Sequence, residues 1–397
     1  MKDMTIKRSS TKLALSITAA IMSACGAQAY DLSLGTNLPP VTFHGFVSQG
    51  FLASSQYNYL GDTTRGSFLF TEAGLNASIN PFPRTHITAQ AFTYDVGQNV
   101  GKYDVVLDYA TVEYTFNDYL GIRGGRLRRP EGIYNEIVDL DLARTFVLLP
   151  QGIYDARWRD FFVSLDGGDL FGHIPLNQAG DLSYEFYGGV QRPSVDGGLT
   201  QKILAKLPKG SEVQSMNSSP LAGVQLWWAT PVDGLRLGAA YNHVLDFETK
   251  LLINLPPIFG GPKHATGVSI CDISHGSVEY VWKNWTFQGE YQRTIIQDSP
   301  DSDAFYASAA YRVNKWFETG AYYSEEYNDT GHRNTAQLYQ KDAALTLRFD
   351  LTDWWIFKVE GHAIHGTGLL QDNASNPVAR QDDRLWFMLG VKTTFSF

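Results

Sequence analysis

Residues 385–397 read Leu385-Trp386-Phe387-Met388-Leu389-Gly390-Val391-Lys392-Thr393-Thr394-Phe395-Ser396-Phe397. Side chains of a strand alternate between two faces. Leu385, Phe387, Leu389, Val391, Thr393, Phe395 and Phe397 therefore share one face, and Trp386, Met388, Gly390, Lys392, Thr394 and Ser396 share the other. The first face is apolar to its last residue and the second is mixed, small or charged. A soluble sandwich can produce one such strand, so the number of strands and the lengths of their connections must decide the fold.

The same alternation runs backwards through the chain. Trp355, Phe357 and Val359 oppose Lys358, Glu360 and His362; Ala343, Leu345, Leu347 and Phe349 oppose Asp342, Ala344, Thr346 and Arg348. Short turns join such runs at 350–353, 314–315, 283–284, 231–234 and 117–118, which makes them hairpins. Sixteen strands are predicted near 41–52, 66–80, 85–95, 105–117, 119–126, 161–173, 181–191, 221–230, 235–246, 275–283, 285–296, 303–313, 316–327, 337–350, 354–366 and 383–397. Seven short turns alternate with eight connections that, one near 297–302 excepted, are longer and polar or Gly-rich, and both termini fall at the short-turn end. Strict alternation of this kind has no cause in a sandwich. It is required of an all-β transmembrane antiparallel barrel with short periplasmic turns and long outer loops, which leaves no unpaired edge in lipid. Phe82, Phe116, Tyr119, Trp228, Trp282, Trp285, Trp316, Phe317, Trp354 and Trp355 sit beside the short turns, where amphipathic rings suit the headgroup level.

The start of the chain agrees with export. Lys2, Lys7, Arg8 and Lys12 precede an apolar run over 13–24 and the triplet Ala27-Gln28-Ala29, the pattern of a cleavable signal peptide over residues 1–29. The run is too short to span a bilayer as a helix. Ser23-Ala24-Cys25 partly resembles a lipoprotein processing site, which leaves lipidation of Cys25 open, although Met22 replaces the usual Leu. The formal net charge is -9, and it becomes more negative once four basic residues and one acid leave with residues 1–29. So acidic a chain gives no support to a nucleic-acid role. Cys271 is then the lone cysteine, so no disulfide within the chain is expected.

The signal peptide, the alternating strands and the final Phe397 together resemble Gram-negative outer-membrane porins over residues 30–397, a single barrel domain. In that group a terminal aromatic residue helps the barrel-assembly machinery recognise its client, and the resemblance implies that role for Phe397. It also implies a homotrimer in outer-membrane lipid, with each subunit carrying its own pore for small hydrophilic solutes or ions, and no cofactor. The stretch Gly125-Arg126-Leu127-Arg128-Arg129-Pro130, with Gly132-Ile133-Tyr134-Asn135-Glu136 and Leu148-Leu149-Pro150-Gln151-Gly152-Ile153-Tyr154, is similar to a segment of phosphate-selective-porin-like proteins. It is a cue to that broad group, and no phosphate preference is read from it.

Residues 127–160 are the longest connection and the third of the long ones, the position at which trimeric porins fold a loop into the lumen. Ile137, Val138, Leu140, Phe146, Val147, Leu148 and Leu149 are too apolar for a freely solvated loop; the alternative is an outer loop packed on its neighbours or on another subunit. Alternation places Arg123 inward, and a bulge at Gly124-Gly125 would turn Arg126 and Arg128 inward around an outward Leu127. The expected constriction therefore has Arg123, Arg126, Arg128 and Arg129 on one wall and Glu131, Glu136, Asp139 and Asp141 on the loop, setting a transverse field. Glu72, Asn76, His86, Gln90, Glu113, Glu185, Gln225, Arg236, Gln288, Glu290, Arg348, Lys358, Glu360 and Lys392 are further inward positions of a hydrated lumen.

No catalytic residues are singled out. The nine histidines are scattered, no Gly-x-Ser-x-Gly motif occurs, and His362 and His365 fall on opposite strand faces, against a shared metal. The reading is a porin and not an enzyme. Its alternative is a receptor or adhesin barrel acting through the loops at 192–220 and 247–274, which carry Lys202, Lys206, Lys209, Leu251 and the Pro256-Pro257-Ile258 turn.

Overall fold

The computed structural model describes residues 29–32, 39–97, 100–205, 207–370, 376, 382 and 384–397. The expected signal peptide, apart from Ala29, lies outside the described residues, as do Cys25 and Lys206. Eighteen strands form one antiparallel sheet. Sixteen of them build the barrel: β2 (Val41–Ser54), β3 (Phe70–Ile79), β4 (Thr85–Val96), β5 (Val105–Asn117), β6 (Leu120–Arg128), β7 (Ser164–Pro175), β8 (Asp181–Gln191), β10 (Ser219–Ala229), β11 (Leu235–Ile253), β12 (Lys263–Trp282), β13 (Trp285–Ile296), β14 (Ser302–Arg312), β15 (Phe317–Tyr327), β16 (Tyr339–Thr352), β17 (Trp355–Gly366) and β18 (Leu385–Ser396). Each pairs with its sequence neighbour, β8 with β10, and β18 with β2, so the sheet closes on itself. Phe397 extends that closure: its N–H donates to the Gly45 carbonyl at 2.9 Å and its carbonyl accepts from Gly45 at 3.1 Å. The short strand β1 (Tyr30–Leu32) adds to β2.

The alternation that marks each strand in the sequence separates the two faces. On β18, Trp386, Met388, Lys392 and Thr394 are buried inside, whereas Leu385, Phe387 and Leu389 stand outside. Leu75, Ile87, Val112, Ile122, Leu170, Phe186, Leu237, Phe287 and Leu345 continue the exposed apolar belt. No helix among the described residues is long and apolar enough to cross a membrane. The closed antiparallel sheet with its apolar outer belt is the outer-membrane barrel architecture. Trp228, Trp282, Trp285, Trp316 and Trp354 are exposed beside the short turns, forming an aromatic girdle at that end.

The outer face gives a direct prediction. Leu345 is 59% exposed in the middle of β16, flanked by Ala321 and Gly361, so an arginine there meets lipid with no partner. Leu345→Arg should cost about 2–4 kcal/mol, read as a lowered urea midpoint of the refolded barrel in vesicles. Unchanged stability would place that face away from lipid.

Two expectations about the outer end need correction. The segments 247–253 and 263–274, read as loop, continue β11 and β12 as a hairpin that β9 (Glu212–Met216) broadens to three strands. Residues 198–205 of the other outer loop form a short helix. The Pro-Pro turn and the charges around it mask the alternation there, and a register shift between Val244 and Phe247 breaks its phase.

Candidate functional site: the inward loop and the wall it faces

β6 ends at Arg128 and β7 begins at Ser164, so the long connection is 129–163. It runs across the barrel interior to the opposite wall. Pro130 cannot continue the ladder. Gly132 has φ 65, and a Cβ there would lie 2.6 Å from both Glu290 Oε1 and Tyr154 Oη; only glycine allows that approach.

Three ionic clusters hold the loop. At its stem, Asp108 and Asp139 are clasped between two guanidinium groups. Arg128 pairs with both carboxylates, and Arg159 donates to Asp108 at 2.7 Å and to Asp139 at 3.2 Å. Asp108 reaches this place because it is the extra residue of a β-bulge, opposite the break between Gln90 and Ala91. Farther along, Arg129 pairs with Glu131. Next to them Glu290 accepts from the Ile133 N–H at 2.8 Å, the Tyr154 hydroxyl at 2.5 Å and the Tyr306 hydroxyl at 2.8 Å, and it lies 3.0 Å from His275 Nε2.

At the far wall, Asp141 lies 3.1 Å from Lys358 Nζ, 3.4 Å from Lys392 Nζ and 3.2 Å from Arg144, and accepts from Thr394 at 2.7 Å. Lys358 also donates to the carbonyls of Asp141 and Arg144 at 2.7 Å. Glu360 accepts the backbone N–H groups of Val147 and Leu148, both at 2.8 Å. Apolar contacts finish the anchorage: Val147 and Leu148 join Leu52, Phe92, Ile364 and Met388, and Phe146 meets Tyr322 edge-on at 5.0 Å. Of the apolar residues that made 127–160 look unlike a solvated loop, Phe146, Val147, Leu148 and Leu149 are buried and Ile137 and Val138 pack in the cluster that holds Tyr306, whereas Leu140 is exposed.

The electrostatics follow from this enclosure. Burial by itself would raise the Asp141 pKa, but Lys358, Lys392 and Arg144 hold it well below the usual carboxylate range. Arg128 and Arg159 do the same for Asp139 against the same opposing burial. Glu136 differs: burial raises its pKa, Asp169 adds to the rise, and Arg123 opposes it.

The eight residues expected at a constriction divide into several groups. Arg128–Asp139 and Arg129–Glu131 meet as closed, buried ion pairs with no opening between them. Asp141 turns to the lysines of β17 and β18 instead of the arginine wall. Arg126 corrects the expectation outright. β5 and β6 stay in register through Gly124 and Gly125, so no bulge forms there. Leu127 points inward and is fully buried, while Arg126 shares the outward face with Ile122 and pairs with Asp166 at 3.1 Å. Arg123 and Glu136 remain. Arg123 faces inward and touches Asp169 at 2.8 Å, Glu185 at 3.0 Å and Glu136 at 3.9 Å. Asp169 and Asp108 were not singled out from the sequence. Asp169 was readable there, because an outward Leu170 makes it inward; the bulge that delivers Asp108 has no signature in the residues.

No protein-family model matches the chain, and no curated protein matches it. Solved structures do. The in-vitro folded trimer form of OmpT, an outer-membrane protein of Vibrio cholerae, has 12% identity and TM-score 0.54, covering 90% of this chain and 99% of its own. An anion-selective porin from Comamonas acidovorans has 11% identity and TM-score 0.53, with coverage of 90% and 99%. OmpF of Salmonella typhi in complex with daunomycin has 13% identity and TM-score 0.55, with coverage of 93% and 100%. The chain has the fold of these outer-membrane proteins.

Proposed function

We propose that this chain is an outer-membrane porin: a water-filled channel for passive diffusion of small hydrophilic solutes or ions, narrowed by residues 129–163. The observation that carries the reading is the inward loop itself, fastened by Asp141, Val147 and Leu148 to Lys358, Lys392 and Glu360 on the far wall. A barrel that only presented outer loops would have no use for so many buried ionic contacts across its lumen. Export by a signal peptide over 1–29, assembly through Phe397 and a homotrimeric state belong to the same reading. The trimer form of the Vibrio cholerae barrel supports the last of these.

The test is a planar bilayer containing the refolded protein without residues 1–29. Discrete open steps, grouped in threes for a trimer, are expected. A folded but silent barrel would favour a receptor or adhesin acting through the projecting hairpin, where Ile258 and Phe259 are 85% and 68% exposed. In that case deleting residues 250–265 would abolish attachment.

A further inference from the structure

We infer that the channel prefers cations, and that the residues deciding this are Glu113, Asp169 and Glu185 on the barrel wall together with Glu136 on the loop. The inference rests on the porin reading. The arginines gathered around the loop suggest the opposite sign until their partners are counted. Arg144 shares Asp141 with Lys358 and Lys392 beneath the loop, all four almost fully buried, whereas Arg128 and Arg159 pair with Asp108 and Asp139, Arg129 with Glu131 and Arg157 with Asp155, all largely withdrawn from water. Such pairs present almost no net charge to a passing ion. Arg126 faces outward, so it contributes nothing to the lumen.

Arg123 is the guanidinium in direct contact with the carboxylates of this wall. Three carboxylates touch it, from β7, β8 and the loop, and Glu113 is its register partner on β5, on the same inward face. One guanidinium cannot neutralise four carboxylates. A separate observation points the same way. Asp169 is more than nine-tenths buried within this group, yet its Oδ1 has no hydrogen-bond partner; a buried polar atom is ordinarily paired, so this charge is left only partly compensated. Farther round the wall, Arg236 and Glu279 pair at 2.6 Å and cancel. The excess is thus negative and lies beside Glu136 on the loop, which keeps about a third of its side chain exposed. Low-dielectric walls focus such a field, raising the local cation concentration and repelling anions.

The experiment is the reversal potential of the reconstituted channel in a potassium chloride gradient, for the native chain and for Glu185→Gln, Glu113→Gln and the pair Glu185→Gln with Asp169→Asn. Potassium should permeate several-fold better than chloride, with the ratio falling toward unity in the double variant. Arg123→Gln, which removes the cation these carboxylates touch, should raise it. Chloride preference in the native channel overturns the inference without need of any variant that folds. So does a native ratio that survives all the carboxylate replacements in barrels shown to be folded by heat-modifiable migration. A folded barrel with no conductance overturns the porin reading, and this inference with it, and is told apart from a conducting channel of the wrong sign.

Discussion

An Asp141→Ala barrel is expected to lose about 3–5 kcal/mol of stability and to conduct more than the native one. Asp141 is 1% exposed and has three cationic neighbours, Lys358, Lys392 and Arg144, besides the Thr394 hydroxyl. A buried ion pair can add little to stability compared with an apolar pair, but deleting one partner strands the other charge in a poorly solvated place. The groups stranded here are not equivalent. Lys392 keeps Glu72 at 2.6 Å, whereas Lys358, fully buried, keeps only carbonyl oxygens. The loss therefore falls mostly on Lys358, and the cheapest relief is for the loop to move off the wall and admit water. Asp141→Asn should fall between native and Asp141→Ala, since an amide can still accept from Thr394. Urea titration followed by tryptophan fluorescence gives the stability and single-channel recording gives the conductance. A midpoint and a conductance both equal to native would show that the loop is held elsewhere.

Most of the barrel was legible in the residues because both of its faces are constrained. Lipid outside and polar lining inside force the period-two pattern along nearly every crossing, so the ends of β4, β5, β8 and β13 fall within a residue of their expected positions. Legibility fails where one constraint lapses. Beyond the rim, β11 and β12 have water on both sides, and their alternation no longer has to be apolar against polar. The candidate site was legible in composition and not in pairing. Counting charges finds arginines and acids close together in the chain, but only the fold decides that Arg128 and Asp139 close on each other while Arg123 stays among unmatched carboxylates. A single residue of register carries much of that difference: an expected bulge at Gly124-Gly125 is absent, and an unforeseen one at Asp108 takes its place.

Acidification should act in two separated steps, first on selectivity and only later on the loop. Glu136 faces Arg123 on β6, Asp169 on β7 and Glu185 on β8, and its burial, with Asp169, places its pKa above the ordinary carboxylate value of about 4.3. A carboxyl raised in this way takes up its proton in the folded protein before it would in the unfolded chain, so acidification through that window does not weaken the fold. It does remove a negative charge from the partly exposed side chain that the loop turns to Arg123. Asp139 and Asp141 have the opposite sign. Burial opposes their ionisation, but Arg128, Arg159 and the lysines at the far wall prevail and depress both pKa values. Their contribution to stability is fully present above the unfolded Asp value of about 3.9 and is lost only as pH falls below it toward the folded values. Between neutrality and about pH 4.5, cation preference should therefore decline while unit conductance and heat-modifiable migration stay native. Below about pH 4 the far-wall anchorage weakens, and conductance should rise or become unsteady as the loop comes away. Reversal potential and unit conductance recorded on the same channels at descending pH separate the steps. If the two change together above about pH 5, the loop is held by groups that titrate earlier than Asp141, and the far-wall cluster is not its principal anchor.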